Sequence, residues 1–209
     1  MNKYITIFLL FSLFGFTQSS YNNLSIELSS GYTGAVKPYL SSYESGFSGF
    51  NNISIAGRYM FSEKFGVRLE YVNDRFITSS DSKAGTYFNR FGAQLVYNLG
   101  KDLDLMYVTN EEFGLLTHAG VGYTLSKPVG KIFNEQIGSL VFGITPQVKL
   151  NNKIALFGDF SSVINFKQHY RFDGSLFSDN FTPTIGYHYN VSLGIMLYIG
   201  EKRYHSDWY

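Results

Sequence analysis

The chain has 209 residues, in which Lys and Arg (17) nearly match Asp and Glu (16), for a formal net charge of +1. That balance gives no electrostatic reason to expect a nucleic-acid partner. Cysteine is absent, which excludes disulfides, thiol catalysis and a lipid-modified cysteine, while 17 Tyr, 20 Phe and 21 Gly against 4 Pro mark a β-rich composition.

Met1, Asn2 and Lys3 precede an apolar run from Tyr4 to Phe16 and the small, polar residues Thr17 to Ser20, the layout of a cleavable secretory signal. About thirteen apolar residues are too few for a spanning helix, so residues 1–19 are read as a signal peptide cut between Gly15 and Ser20. About 190 residues remain, enough for one barrel or sandwich and too few for two ordinary domains.

Eight segments then alternate with a two-residue period, which in a strand sends successive side chains to opposite faces. From Leu24 to Tyr32, Leu24, Ile26, Leu28 and Tyr32 oppose Ser25, Glu27, Ser29 and Gly31. From Asn51 to Phe61, Ile53, Ile55, Tyr59 and Phe61 oppose Asn52, Ser54, Ala56 and Arg58, with Met60 breaking the pattern. From Phe65 to Phe76, Phe65, Val67, Leu69 and Tyr71 oppose Arg68, Glu70 and Asp74. From Thr86 to Leu99, Phe91, Ala93, Leu95, Tyr97 and Leu99 oppose Arg90, Gly92, Gln94 and Asn98.

From Phe113 to Thr124, Leu115, Thr117, Ala119, Val121 and Tyr123 oppose His118, Gly120 and Gly122, and Leu116 intrudes. From Ile137 to Leu150, Leu140, Phe142, Ile144, Pro146, Val148 and Leu150 oppose Ser139, Gly143, Thr145, Gln147 and Lys149. A bulge or strand end is expected near Pro146, which cannot donate to a ladder. From Ile154 to Phe166, Ile154, Leu156, Phe160 and Ile164 oppose Asp159, Ser161 and Asn165, with Phe157 and Val163 on the polar face. In the last and longest run, Tyr187 to Ile199, Tyr189, Val191, Leu193, Ile195, Leu197 and Ile199 oppose His188, Asn190, Ser192 and Gly194.

Connections alternate in length. Ser62–Lys64 and Asn151–Lys153 are tight turns, whereas Thr33–Phe50, Ile77–Gly85, Leu125–Gln136 and Lys167–Gly186 are longer and polar. Short turns inside and long loops outside are the layout of an outer-membrane barrel. Gly100–Glu112 departs from it. There Leu103, Leu105 and Tyr107 alternate with Asp102, Asp104 and Met106, which reads as a strand extension or an ordered excursion on the periplasmic side.

Alternation alone does not choose between a membrane barrel, apolar outside, and a soluble barrel or sandwich, apolar inside. Three features favour the membrane. The polar face is rich in Gly, Ser and Asn, which leave room in a narrow lumen. Tyr59, Phe61, Phe65, Tyr97, Tyr123 and Tyr187 fall toward strand ends, as interfacial belts do. Many strands also exceed the usual five or six residues. The expected fold is therefore all-β, an eight-stranded antiparallel up-and-down transmembrane β-barrel over residues 20–200, followed by a periplasmic tail, 201–209. In the tail, Lys202, Arg203, Trp208 and Tyr209 are placed at the inner headgroup interface or without fixed structure.

Eight strands, a signal sequence, tight inner turns and long outer loops resemble the transmembrane domain of the outer membrane protein A family, in the form found in Bacteroidetes-type bacteria, over about Leu24 to Ile199. The most specific piece is Ser192-Leu193-Gly194-Ile195-Met196-Leu197-Tyr198-Ile199, similar to the carboxy-terminal insertion signal of outer membrane proteins through Ser192, Gly194, Leu197 and Ile199. The resemblance implies recognition by the barrel-assembly machinery and residence among outer-membrane lipids. The signal usually ends the chain on an aromatic, whereas residues 201–209 follow here. Two-domain relatives append a peptidoglycan-binding domain; none is expected here, so peptidoglycan anchoring is not carried over.

The inward charges Glu27, Arg58, Arg68, Glu70, Arg90, Lys149 and Asp159, with Gln94, are the candidate lumen network. An eight-stranded barrel encloses a space that side chains fill, so buried charges there must be paired and hydrogen-bonded. The expected role is structural or surface-interacting, without catalysis, with outer-loop aromatics (Tyr39, Tyr43, Phe47, Tyr170, Phe172, Phe177, Phe181) either packed together or offered to a ligand. Two alternatives stand beside it. One is a narrow gated channel in which pairs such as Glu27 and Arg58 exchange partners; the other is a lipid A-modifying enzyme using His118 or His188 with Ser161, Ser192 or Asp159. His205-Ser206-Asp207 is contiguous, so its side chains are expected to diverge. Scattered histidines without metal-ligand spacing point to no metal and no cofactor.

Overall fold

The computed structural model describes residues 20–36, 48–77, 84–110, 112–178 and 180–208. The expected signal segment lies outside them, as do Tyr39, Tyr43, Phe47 and Tyr209. Eight strands follow in chain order: β1 (Leu24–Val36), β2 (Ser48–Met60), β3 (Phe65–Ile77), β4 (Gly85–Asn98), β5 (Phe113–Pro128), β6 (Glu135–Lys149), β7 (Ile154–Gln168) and β8 (Thr184–Ile199). Each pairs antiparallel with the next, and β8 returns to β1 to close the barrel. Closure leaves no unpaired sheet edge.

The apolar face of every strand points outward. Leu24, Ile26 and Leu28 are exposed while Ser25, Glu27 and Ser29 are buried, and the same alternation runs through β8, where Leu193 at mid-strand is 76% exposed beside buried Ser192. A soluble barrel would have the opposite arrangement. The outer wall is apolar and the interior polar, an order that suits hydrocarbon outside. Tyr59, Phe61, Phe65 and Tyr97 gather at the end of the barrel that carries the β2–β3 turn, where Phe65 and Tyr97 face each other across the ladder with ring centroids 5.0 Å apart.

Strands of 13 to 16 residues run beyond the apolar band at the outer end, which is why β1, β5 and β7 extend past the ends read from alternation. Pro146 makes no bulge. The β6 registers to β5 and β7 continue unbroken on both sides of it, but no pairing to β7 forms at Thr145 and Pro146. Gly158, which has no side chain, passes near the Pro146 ring, and an apolar groove opens on the outer wall there, between Phe113, Val148, Phe160 and Leu193. The irregularities fall instead between Gly31 and Thr33 and between Asn165 and Gln168.

The described residues of the 100–112 excursion do not form a strand extension. They form two four-residue helices, α1 (Leu99–Asp102) and α2 (Leu105–Val108). Asn98 starts α1, its side-chain oxygen accepting from the Lys101 amide, the usual way an N-cap satisfies a free N–H. Asp104 takes the left-handed conformation, φ 49°, between the two helices. Lys64–Asp102 and Lys101–Glu63 pairs tie this corner to the β2–β3 turn; exposed pairs of this kind contribute little, about 0 to 1 kcal/mol.

Candidate functional site

Among the described residues the lumen concentrates the buried charges, and it is built in three layers. At its centre, Arg58 and Arg68 are direct cross-strand partners on β2 and β3. Like charges so placed repel, and Glu27 from β1 resolves the conflict by dividing its carboxylate between them. Oε1 lies 2.7 Å from Arg58 Nε and Oε2 lies 3.0 Å from Arg68 Nε. Arg68 also reaches Asp159 at 3.2 Å and Glu70 at 3.7 Å, and Arg90 reaches Glu70 at 3.3 Å.

Asp159 is the second junction. It faces His118 Nε2 at 3.2 Å and accepts from the hydroxyls of Thr145 (3.1 Å) and Ser161. Glycine makes the room: a Cβ on Gly143 would lie 2.3 Å from His118 Nε2. Glu27, Arg58, Arg68, Glu70, Arg90 and Asp159 are thus brought into one connected set. Gln94 is buried nearby without a hydrogen-bond partner, and Lys149 stands apart at the rim, its ammonium over the rings of Tyr204 and Trp208. Arg68 borders small voids of about 10 Å³, one shared with Glu27 and Arg58 and another with Glu70 and Arg90, each with room for about one water.

At the end of the long loops, Phe172 turns inward onto Phe76, Phe88 and Ile137, all buried. The Phe76–Phe172 centroids are 4.5 Å apart, and the His188 ring lies against the cluster. Beneath it Asp74 accepts from Asn52 (2.7 Å) and Asn190 (3.4 Å), and His188 Nε2 lies 3.6 Å away. Tyr170 is buried too, whereas Phe181 stays exposed and stacks on His169, whose Nδ1 is 2.7 Å from Glu135.

At the opposite end the tail enters the barrel. His205, Ser206, Asp207 and Trp208 are all buried, so Trp208 does not lie at a headgroup interface. Asp207 takes both terminal nitrogens of Arg58, each at 2.7 Å, the bidentate geometry in which such pairs are strongest. Burial pushes the Asp207 carboxyl up, but Arg58 and then His205 outweigh it and hold it well below the usual carboxylate range. The Trp208 indole donates to the Tyr198 hydroxyl at 2.8 Å and packs with Ala155, Phe157 and Met196. His205 and Asp207 do converge, Nδ1 to Oδ1 at 3.3 Å, because the short 3-10 turn at Ser206–Trp208 curls them together where extended chain would separate them.

His118 and Ser161 approach opposite oxygens of Asp159, so the carboxylate sits between the hydroxyl and the imidazole. Nucleophilic catalysis needs nucleophile and base in mutual reach, and this order does not supply it. Among the described residues no group of three His, Cys, Asp or Glu is placed to hold a metal ion.

No family model matches the sequence, and no curated protein does. Solved structures do match. Neisserial surface protein A aligns over 87% of this chain and 98% of its own at 12% identity, with a TM-score of 0.57. A major outer membrane protein from Thermus thermophilus aligns over 85% and 98% at 13% identity, with a TM-score of 0.51. The fold is that of the eight-stranded outer-membrane barrels. At such identities the likeness is one of fold alone.

Proposed function

We propose that the chain is a bacterial outer-membrane barrel of structural or surface-interacting role, without enzymatic activity and with a lumen that does not conduct. The observation that carries this reading is closure. Phe172 seals one end, Asp207 and Trp208 seal the other, and the ion-pair network fills the space between. The apolar outer wall suits outer-membrane lipids. On β8, Ser192 and Gly194 face inward while Leu197 and Ile199 face outward, an arrangement in keeping with an insertion signal read by the assembly machinery. Action on the outside falls to the loops, where Ile132, Phe133 and Phe181 remain exposed.

In planar bilayers the purified full chain is expected to give no steady ion current at voltages where open porins conduct. A reproducible single-channel conductance, reduced by Glu27→Gln, would instead favour the gated channel.

A further inference from the structure

The mouth beside the short turns holds the chain's own tail in the manner of a bound peptide. We propose that this mouth is a binding socket for a peptide segment carrying an aspartate followed by an aromatic residue, and that residues 204–208 are its tethered occupant. Going beyond the structural reading above, the proposal rests on it only for placing the mouth on the periplasmic side.

Three kinds of recognition converge there. The main chain is read by Asn22: its amide donates to the Tyr204 carbonyl at 2.8 Å and its carbonyl accepts from the Ser206 amide at 2.9 Å, a parallel bridge centred on His205. These two bonds fix the backbone of the segment at one point, just before it enters the 3-10 turn at Ser206–Trp208. The aspartate is read by Arg58, with Gln147 Nε2 at 3.4 Å and the Tyr198 hydroxyl at 3.3 Å from the same oxygen, and Asn98 donates to the Asp207 carbonyl at 3.4 Å. The aromatic ring is read by the Tyr198 hydroxyl and by a pocket that includes Gly114, where a Cβ would come within 3.1 Å of the indole.

These groups come from the segment before β1 and from β2, β4, β5, β6 and β8, so the socket belongs to the barrel and not to the tail. The occupant is joined to β8 only by residues 200–203, all exposed. A link that short gives an effective concentration on the order of millimolar. A free segment of the same chemistry therefore displaces the tail only when the tail's own grip is weakened.

The chain contains one tryptophan, Trp208, so its fluorescence reports docking without any label. In detergent micelles the full chain is expected to shield Trp208 from acrylamide and to bind no micromolar labelled peptide with the sequence of residues 203–208. In full-length Asp207→Ala, checked for folding by a mobility shift on boiling, Trp208 becomes several-fold more quenchable and the labelled peptide binds. Replacing the peptide's aspartate by asparagine lowers that affinity about tenfold or more, since the bidentate charge pair is lost. Asp207→Asn, nearly isosteric, serves if the alanine variant does not fold. The proposal is overturned if Trp208 stays shielded in the folded variant, if the variant binds no peptide, if the wild type binds the peptide equally well, or if aspartate and asparagine peptides bind alike.

Discussion

Arg68→Ala is expected to lower the unfolding free energy by about 3–5 kcal/mol, the cost of breaking a buried ion pair from one side. Arg68 lies within 3.7 Å of Glu27, Asp159 and Glu70, and all four side chains are at least nine-tenths buried. After truncation Glu27 keeps Arg58, Glu70 keeps Arg90 and Asp159 keeps His118, but three carboxylates share less positive charge at the centre of the lumen. Adding Glu27→Gln removes one of them, so the double variant should lose less than the single ones sum to, the mark of a coupled pair. The readout is the urea midpoint, followed by the gel mobility of unboiled samples. A cost under about 1 kcal/mol, the range of exposed pairs, would mean that Arg68 is not a junction of a buried network.

Leu193→Arg tests the outer wall with a comparable effect. Leu193 lies midway along β8 and is 76% exposed, so arginine there meets no steric obstacle and makes no cavity. In water the change would be close to neutral. Facing hydrocarbon near the midplane, it costs about 2–4 kcal/mol, a large share of a typical stability of about 5–15 kcal/mol. Refolding into lipid vesicles should show the loss. Equal folding yields and urea midpoints for Leu193→Arg and wild type would place that face in water.

The strand faces were legible residue by residue because lumen and exterior differ so strongly as solvents. One register slip would turn Glu27, Arg58, Arg68 and Asp159 to the apolar side, so the pattern is held tightly. The exceptions carried information of a different kind. Met60, Leu116 and Phe157 break the polar inner face, and in the structure they are buried beside the layer that the tail enters. Phe76 and Phe88, inward at the far end, form the floor on which Phe172 sits. Apolar side chains on the inner face near strand ends were thus the available signal for two caps.

What alternation had no means to reveal was the identity of each cap. Arg58 and Asp207 are 149 positions apart, and no local periodicity predicts that a charged tail folds back onto an inward arginine. The helices of the α1–α2 corner escape alternation for a related reason. Four-residue helices are shorter than the windows in which a 3.6-residue period can be told from a period of two, so Leu103, Leu105 and Tyr107 looked like one face of a strand. Lys149, inward in register like the lumen charges, stands over the tail's aromatic rings because its strand ends at the rim.

If the apolar outer wall threads this barrel through a membrane with its long loops outside, the two ends are reachable from different sides. Because the chain has no cysteine, single cysteines can be placed at will, and labelling of intact cells by a membrane-impermeant maleimide reads which end faces outward. Lys131→Cys, on the β5–β6 connection, should label at once, and Asn151→Cys, on the β6–β7 turn, only after the envelope is opened. Equal labelling of both sites in intact cells, or of neither, would contradict that arrangement.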